Sequence, residues 1–107
     1  MGKESTHLSK EQKRLTIRIE YLESQGMAEP NCWLSVSRRK GKKGTLVYWR
    51  LNRKTSAGTA TEHLGGEDSE KYQEVKGLVD RRNEVTELRS QLHLVEQCLE
   101  RQRNWEG

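Results

Sequence analysis

Apolar residues recur at helical spacing in the first part of the chain. Those that share one face lie three or four residues apart and are Leu15, Ile19 and Leu22. Ser9 and Gln12 form a capping-box pattern ahead of them, and Gly26 supplies a stop after them. The spacing therefore predicts a helix over residues 9–25, preceded by a flexible segment over residues 1–8.

Between residues 31 and 64 the hydrophobic period changes to two. Two runs rich in β-branched, aromatic and aliphatic residues, 32–36 and 45–51, flank a glycine-containing loop, which is typical of a β-hairpin. Residues 59–64 could form a short third strand, so the ribbon has either two strands or three. In the second strand one face carries Val47, Trp49 and Leu51, and the other carries Leu46, Tyr48 and Arg50. Because an isolated ribbon is marginal in water, we expect a helix to cover it.

From Ser69 the helical period returns and predicts a second helix over residues 69–104, roughly 50 Å long. Its apolar residues repeat in heptads: Leu78, Val85, Leu92 and Leu99, with Leu88 and Val95 at the complementary position. The first helix is too short to cover all of these apolar residues. The apolar seam that it leaves uncovered therefore predicts a homodimer or docking on a partner helix. The residues of that interface are Val85, Leu88, Leu92, Val95 and Leu99.

These elements indicate an α+β fold in a single small domain over residues 1–107, with a ribbon over residues 31–64 between the two helices. The composition, 34% charged and 31% hydrophobic, argues against a deep substrate pocket. The sequence has no apolar run long enough to span a bilayer and no secretion-signal pattern, so we expect no membrane partner. Residues 1–6 match a short N-myristoylation pattern, but no second membrane signal accompanies it. Two distant cysteines, Cys32 and Cys98, favour a reducing, cytoplasmic compartment.

Charge is concentrated in the ribbon. Residues 31–61 hold eight basic side chains and no acidic one, although the net charge of the chain is only +4. The eight are Arg38, Arg39, Lys40, Lys42, Lys43, Arg50, Arg53 and Lys54. Clustered Lys and Arg neutralise phosphates, and neighbouring aromatic rings such as Tyr48 and Trp49 can stack on bases. The segment therefore predicts a non-enzymatic protein that binds nucleic acid, and it does not distinguish DNA from RNA.

Two other interpretations of the ribbon remain open. The basic residues could form a solvated turn, with Trp33 or Trp49 in the core. In a different functional class, the protein could be an adaptor or inhibitor whose basic loop binds an acidic surface or the nucleic-acid site of a partner protein. Both binding functions need a positive patch, so the sequence does not separate them.

Enzymatic and metal chemistry find little support in the sequence. It has no Gly-rich phosphate loop, no nucleophile elbow and no HExxH motif, so we expect no enzyme, no cofactor and no small-molecule substrate. The residues able to bind zinc lack the tight spacing of a structural site; they are Cys32, His63, His93 and Cys98. We therefore expect no metal.

Three stretches of the chain carry a family resemblance. They are residues 46–51 (Leu-Val-Tyr-Trp-Arg-Leu), residues 63–65 (His-Leu-Gly), and residues 80–88 with Asp-Arg-Arg-Asn-Glu followed by Glu87 and Leu88. Together they resemble a group of short uncharacterised bacterial proteins, common in cyanobacterial genomes and often encoded near mobile elements. The resemblance covers residues 31–100 and implies the order helix, β-ribbon, long helix, without an established activity. Many members carry a cysteine cluster before the aromatic strand, whereas this chain keeps only Cys32.

Overall fold

The computed structural model describes the backbone of residues 3–106 and the side chains of residues 7–105. Gly2, the acceptor in the myristoylation pattern, lies outside the described residues. The elements in chain order are α1 (Lys3–Ser24), β1 (Cys32–Gly41), β2 (Gly44–Thr55), β3 (Gly58–Gly65) and α2 (Glu70–Glu106). The predicted α+β class and the order helix, ribbon, long helix are confirmed.

The three strands form one antiparallel sheet in the order β1-β2-β3. Two tight turns connect them, and each is followed by a glycine with positive φ: Gly44 at +125° and Gly58 at +128°. This part of φ space is open mainly to glycine, so these residues determine where the chain can reverse. The loop expected between the first two strands is only two residues long, since residues 38–41 continue β1 and pair with β2.

Helix α1 begins at Lys3, six residues before the predicted start. The expectations of a flexible segment over residues 1–8 and of a capping box at Ser9 are therefore wrong for the residues described here. The physical reason is Leu8, which lies seven residues before Leu15 and extends the apolar stripe of the helix by two turns. The helix ends as predicted at Gly26, whose φ is +88° and whose N–H donates to the carbonyl of Glu23 at 3.1 Å.

The chain packs into two compact units where one domain is predicted, and residues 27–82 form the first. In this unit the first turns of α2 lie against one face of the sheet. Ser69 caps the helix as predicted, since its Oγ accepts from the N–H of Tyr72 at 3.1 Å and donates to the carbonyl of Leu64 at 2.6 Å. The core of this unit includes Cys32, Leu64, Tyr72 and Val79.

Residues 3–26 and 83–106 form the second unit, which is entirely helical among the described elements. Its buried side chains include Leu15, Ile19 and Leu22 of α1 and Val85 of α2. Two exposed ion pairs connect the helices, Arg18 to Glu84 and Arg89 to Glu23, each at 2.9 Å. In neither α1 nor α2, as far as they are described, is there an apolar stretch that could cross a membrane.

Candidate functional site

The β1–β2 hairpin is longer than the third strand that flanks it. Strand β1 pairs with β2 along its whole length, from Cys32 opposite Arg53 to Gly41 opposite Gly44. Strand β3 pairs only with the second half of β2, from Trp49 to Thr55. The last five residue pairs of the hairpin therefore extend past β3 as a two-stranded ribbon, roughly 15 Å long at 3.3 Å per residue.

Five cations occupy this extension and are called the basic tip: Arg38, Arg39, Lys40, Lys42 and Lys43. All five are exposed, and within the described part of the chain none of them forms an ion pair with a carboxylate. Strand alternation directs Arg39 to one side of the ribbon and Arg38 and Lys40 to the other. The tip therefore presents positive charge in several directions.

The other three predicted phosphate contacts lie elsewhere. Arg53 and Lys54 are at the far end of β2, roughly 30 Å from the turn at strand spacing. There Arg53 is already paired, with its Nε 3.2 Å from Glu29 Oε2. Arg50 lies between the two ends, half-buried in the middle of the sheet. The eight cations are thus divided between two ends of the sheet and its middle, and do not form one patch.

One face of the sheet is covered by α2 within this unit. Trp49 stacks on Tyr72 with ring centroids 4.8 Å apart and an interplanar angle of 12°. Lys71 forms an ion pair with Glu62 of β3, and its hydrogen bond lowers the pKa of that carboxyl. Arg82 donates to the carbonyl oxygens of Glu29, at 2.7 Å, and of Cys32. Trp49, predicted as a candidate for base stacking, is therefore a packing residue on the covered face.

The opposite face carries no helix of this unit and is called the open face. The register shows that its residues include Trp33, Ser35, Ser37, Arg39, Leu46, Tyr48, Arg50, Asn52, Lys54, Thr59, Thr61 and His63. Trp33 and Tyr48 are 44% and 40% exposed. Asn52 is buried on this face. Its Nδ2 donates to Ser35 Oγ of β1, and its Oδ1 accepts from Thr61 Oγ1 of β3. These hydrogen bonds connect the side chains of the three strands and leave the aromatic rings of the open face accessible.

A pocket of about 270 Å³ lies where β3 stops pairing with β2. It is lined by Ser37, Arg39, Tyr48, Trp49, Arg50, His63 and Gly65. A bulge shapes this point, because Trp49 pairs with Gly65 while Arg50 pairs with His63, and the intervening Leu64 turns into the core. Sequence reasoning singled out Tyr48 and the arginines of this pocket but missed Ser37 and did not connect His63 to them. The only signal that could have found them is the strand register, which the sequence leaves open.

The predicted seam residues lie in the helical unit. Val85 is 1% exposed and is part of the interior of a single chain, whereas Leu88, Leu92, Val95 and Leu99 are half-buried. Helix α1 shares this unit and, at 22 residues, is longer than predicted. Part of the seam is therefore covered without a second chain.

The four residues considered for zinc do not form a cluster. Among the described side chains, no group of three or more His, Cys, Asp or Glu residues is placed to hold a metal ion. Cys32 is buried, and its Sγ donates to the carbonyl of Glu29 at 3.1 Å, while Cys98 is exposed.

Comparisons with protein-family models, with curated protein sequences and with solved structures gave no match for this chain. The resemblance to the short bacterial proteins therefore stays a prediction. The function has to be argued from the geometry of the sheet.

Proposed function

We propose that this protein is a non-enzymatic, cytoplasmic nucleic-acid-binding protein. Its basic tip contacts phosphates, and Tyr48 on the open face contacts bases. One observation carries the proposal: a projecting ribbon of exposed cations without carboxylate partners, among the described residues, continues directly into a sheet face with accessible aromatic rings. Within the described residues these cations form no ion pair across the sheet, so their charge is available to an anionic partner.

The shape of the tip also fits this function. A two-stranded β-ribbon is narrow enough to enter a major groove, and the same ribbon can lie along a single strand. Arg39 lies on the same side of the ribbon as Tyr48, so phosphate and base contacts can be made together on that side. Arg53 and Lys54 are too far from the tip to contribute to the same contacts, and we leave them out of the proposed surface.

Assembly is the second part of the proposal. The half-buried seam residues leave apolar surface on the helical unit. We propose that this surface pairs two copies of the chain, which would bring two basic tips to one nucleic acid.

The test is a salt titration of nucleic-acid affinity. If the five cations of the basic tip contact phosphates, the logarithm of the affinity should fall with the logarithm of the salt concentration at a slope of about −4.5 for duplex or about −3.5 for a single strand. Replacing all five with Ala should remove most of the binding and flatten the slope. The fold should scarcely change, because the side chains are exposed.

A matched control removes exposed cations from the helical unit, Lys10, Lys13, Arg101 and Arg103, each changed to Ala. We expect this variant to keep most of the affinity and the slope of the parent. If the tip variant remains folded and binds as the parent does, the basic tip is not the binding surface. If the parent binds no nucleic acid even at low salt, the adaptor or inhibitor function replaces this proposal.

A further inference from the structure

Arg50, which lines the pocket on the open face, has a buried hydrogen-bond donor that the fold does not use. Its Nε is inaccessible and has no hydrogen-bond partner in the part of the chain that the structure describes. Buried N–H groups are nearly always paired, so an unpaired donor beside the pocket needs an explanation. A ligand that brings acceptors would supply it.

The rest of the lining has the same chemistry. Arg39 and the outer guanidinium nitrogens of Arg50 are cationic donors, and Ser37 adds a hydroxyl. No carboxylate from the described residues lines the pocket. A site with this composition selects an acceptor-rich anion and disfavours a cation or an apolar ligand. A phosphate group matches it, because its oxygens can accept from several donors at once.

The size of the pocket and its aromatic wall restrict the ligand further. Its volume of about 270 Å³ lies just below the roughly 300 Å³ at which small-molecule pockets begin, so it has room for one nucleotide unit and not for a base pair. Tyr48 forms part of the wall and is 40% exposed, which leaves its ring available for stacking. A base can reach that ring only when it is unpaired and unstacked.

We infer that this pocket holds one unpaired nucleotide of a single-stranded nucleic acid. The phosphate is held by Arg39 and Arg50, and the base stacks on Tyr48. This inference rests on the proposed function and makes it specific: the basic tip supplies affinity for any phosphate backbone, and the pocket supplies preference for single strands.

One test leaves the pocket unaltered and follows the arginine Nε–H signals in a nitrogen–proton correlation spectrum. The Arg50→Lys variant, which lacks one of these signals, assigns the Nε–H of Arg50. We expect a single strand of about ten nucleotides to shift this signal, as a phosphate approaches the guanidinium, and the duplex made from that strand to leave it in place. An unchanged Arg50 signal at saturating single strand overturns the inference.

Substitutions provide the second test, measured as affinity for the single strand and for the duplex. Arg50→Gln and Tyr48→Thr should each weaken single-strand binding about tenfold and duplex binding less than about twofold. Tyr48→Phe keeps the ring and should stay within about twofold of the parent. Lys54→Gln is the charge-matched control, since it lies on the same strand and face as Arg50 but outside the pocket. It should change the affinity for either substrate by less than about twofold.

The outcomes separate the two proposals. If the parent binds nucleic acid through the basic tip but the pocket variants weaken single strand and duplex equally, the pocket inference is wrong and the proposed function stands. If inorganic phosphate alone shifts the Arg50 Nε–H signal as far as the strand does, and Tyr48→Thr has no effect, the pocket is an anion site and nucleotide binding is wrong. If the parent protein binds neither the single strand nor the duplex, the proposed function is wrong, and the pocket inference that rests on it is wrong as well.

Discussion

Tyr48 and Trp49 are neighbours in the chain with opposite positions in the structure. Strand alternation directs one ring to the open face and the other to the face under α2, where Trp49 stacks on Tyr72. The sequence shows the alternation but not which face the helix covers, because that choice depends on contacts between distant residues. For this reason the sequence could assign Trp49 to the same face as Val47 and Leu51, yet could not show that this face packs against α2.

The stacking of Trp49 predicts a large stability difference between these two neighbours. Trp49→Ala should lower the free energy of unfolding by about 3 kcal/mol, because it removes the half-buried ring that stacks on the buried Tyr72. Tyr48→Ala should cost about 1 kcal/mol or less, since its ring is already accessible. Urea unfolding followed by circular dichroism measures both.

Trp105 gives the control for this comparison because it is 91% exposed. Trp105→Ala should change the free energy of unfolding by less than about 0.5 kcal/mol. Similar losses for the Trp49 and Trp105 variants would contradict the assignment of Trp49 to the face that packs against α2.

At the scale of elements, the hairpin differs most from what the sequence suggests. Residues 38–44 contain cations and glycines, which have low strand propensity and look like a loop. In the structure Arg38 faces Val47 and Arg39 faces Leu46 across the ribbon, so their partners on β2 extend the pairing to Gly41. Propensity within one strand does not contain this information. The long helix is the opposite case: its heptads are local, and its predicted bounds agree with α2 to within two residues.

The turn at the tip predicts a specific glycine requirement. Gly44 has a φ of +125°, so Gly44→Ala should destabilise the protein by about 1 kcal/mol or more through backbone strain, although a Cβ there would meet no other atom. Gly66→Ala is the control, because its Cβ would make only an ordinary contact, 3.8 Å from the Val47 carbonyl oxygen. Thermal unfolding should show a lower midpoint for the first variant alone; equal midpoints would mean that the turn tolerates alanine.

On the scale of the whole molecule, charge follows the division into two units. Residues 27–82 carry twelve basic and seven acidic side chains, whereas the remainder of the chain carries eight basic and nine acidic ones. The unit that contains the sheet therefore holds all of the positive excess. The helical unit is close to neutral and keeps its apolar residues in a heptad pattern. This separation supports a division of roles in which the sheet binds an anionic partner and the helices support assembly.

The apolar seam of the helical unit predicts that the protein forms a dimer. Leu92 and Leu94 are two residues apart on α2, and the first is half-buried in the seam while the second is 61% exposed. We expect the pure protein to sediment as a dimer at micromolar concentration, with an unfolding midpoint that rises with protein concentration. Leu92→Glu should place a charge in the apolar seam, lower the free energy of unfolding by about 3 kcal/mol and give a monomer, because burial of a charge among apolar side chains is unfavourable. Leu94→Glu should do neither. A monomeric parent whose midpoint does not depend on concentration would show that α1 alone is sufficient to cover the seam, and the dimer would then be wrong even if Leu92→Glu destabilises the chain.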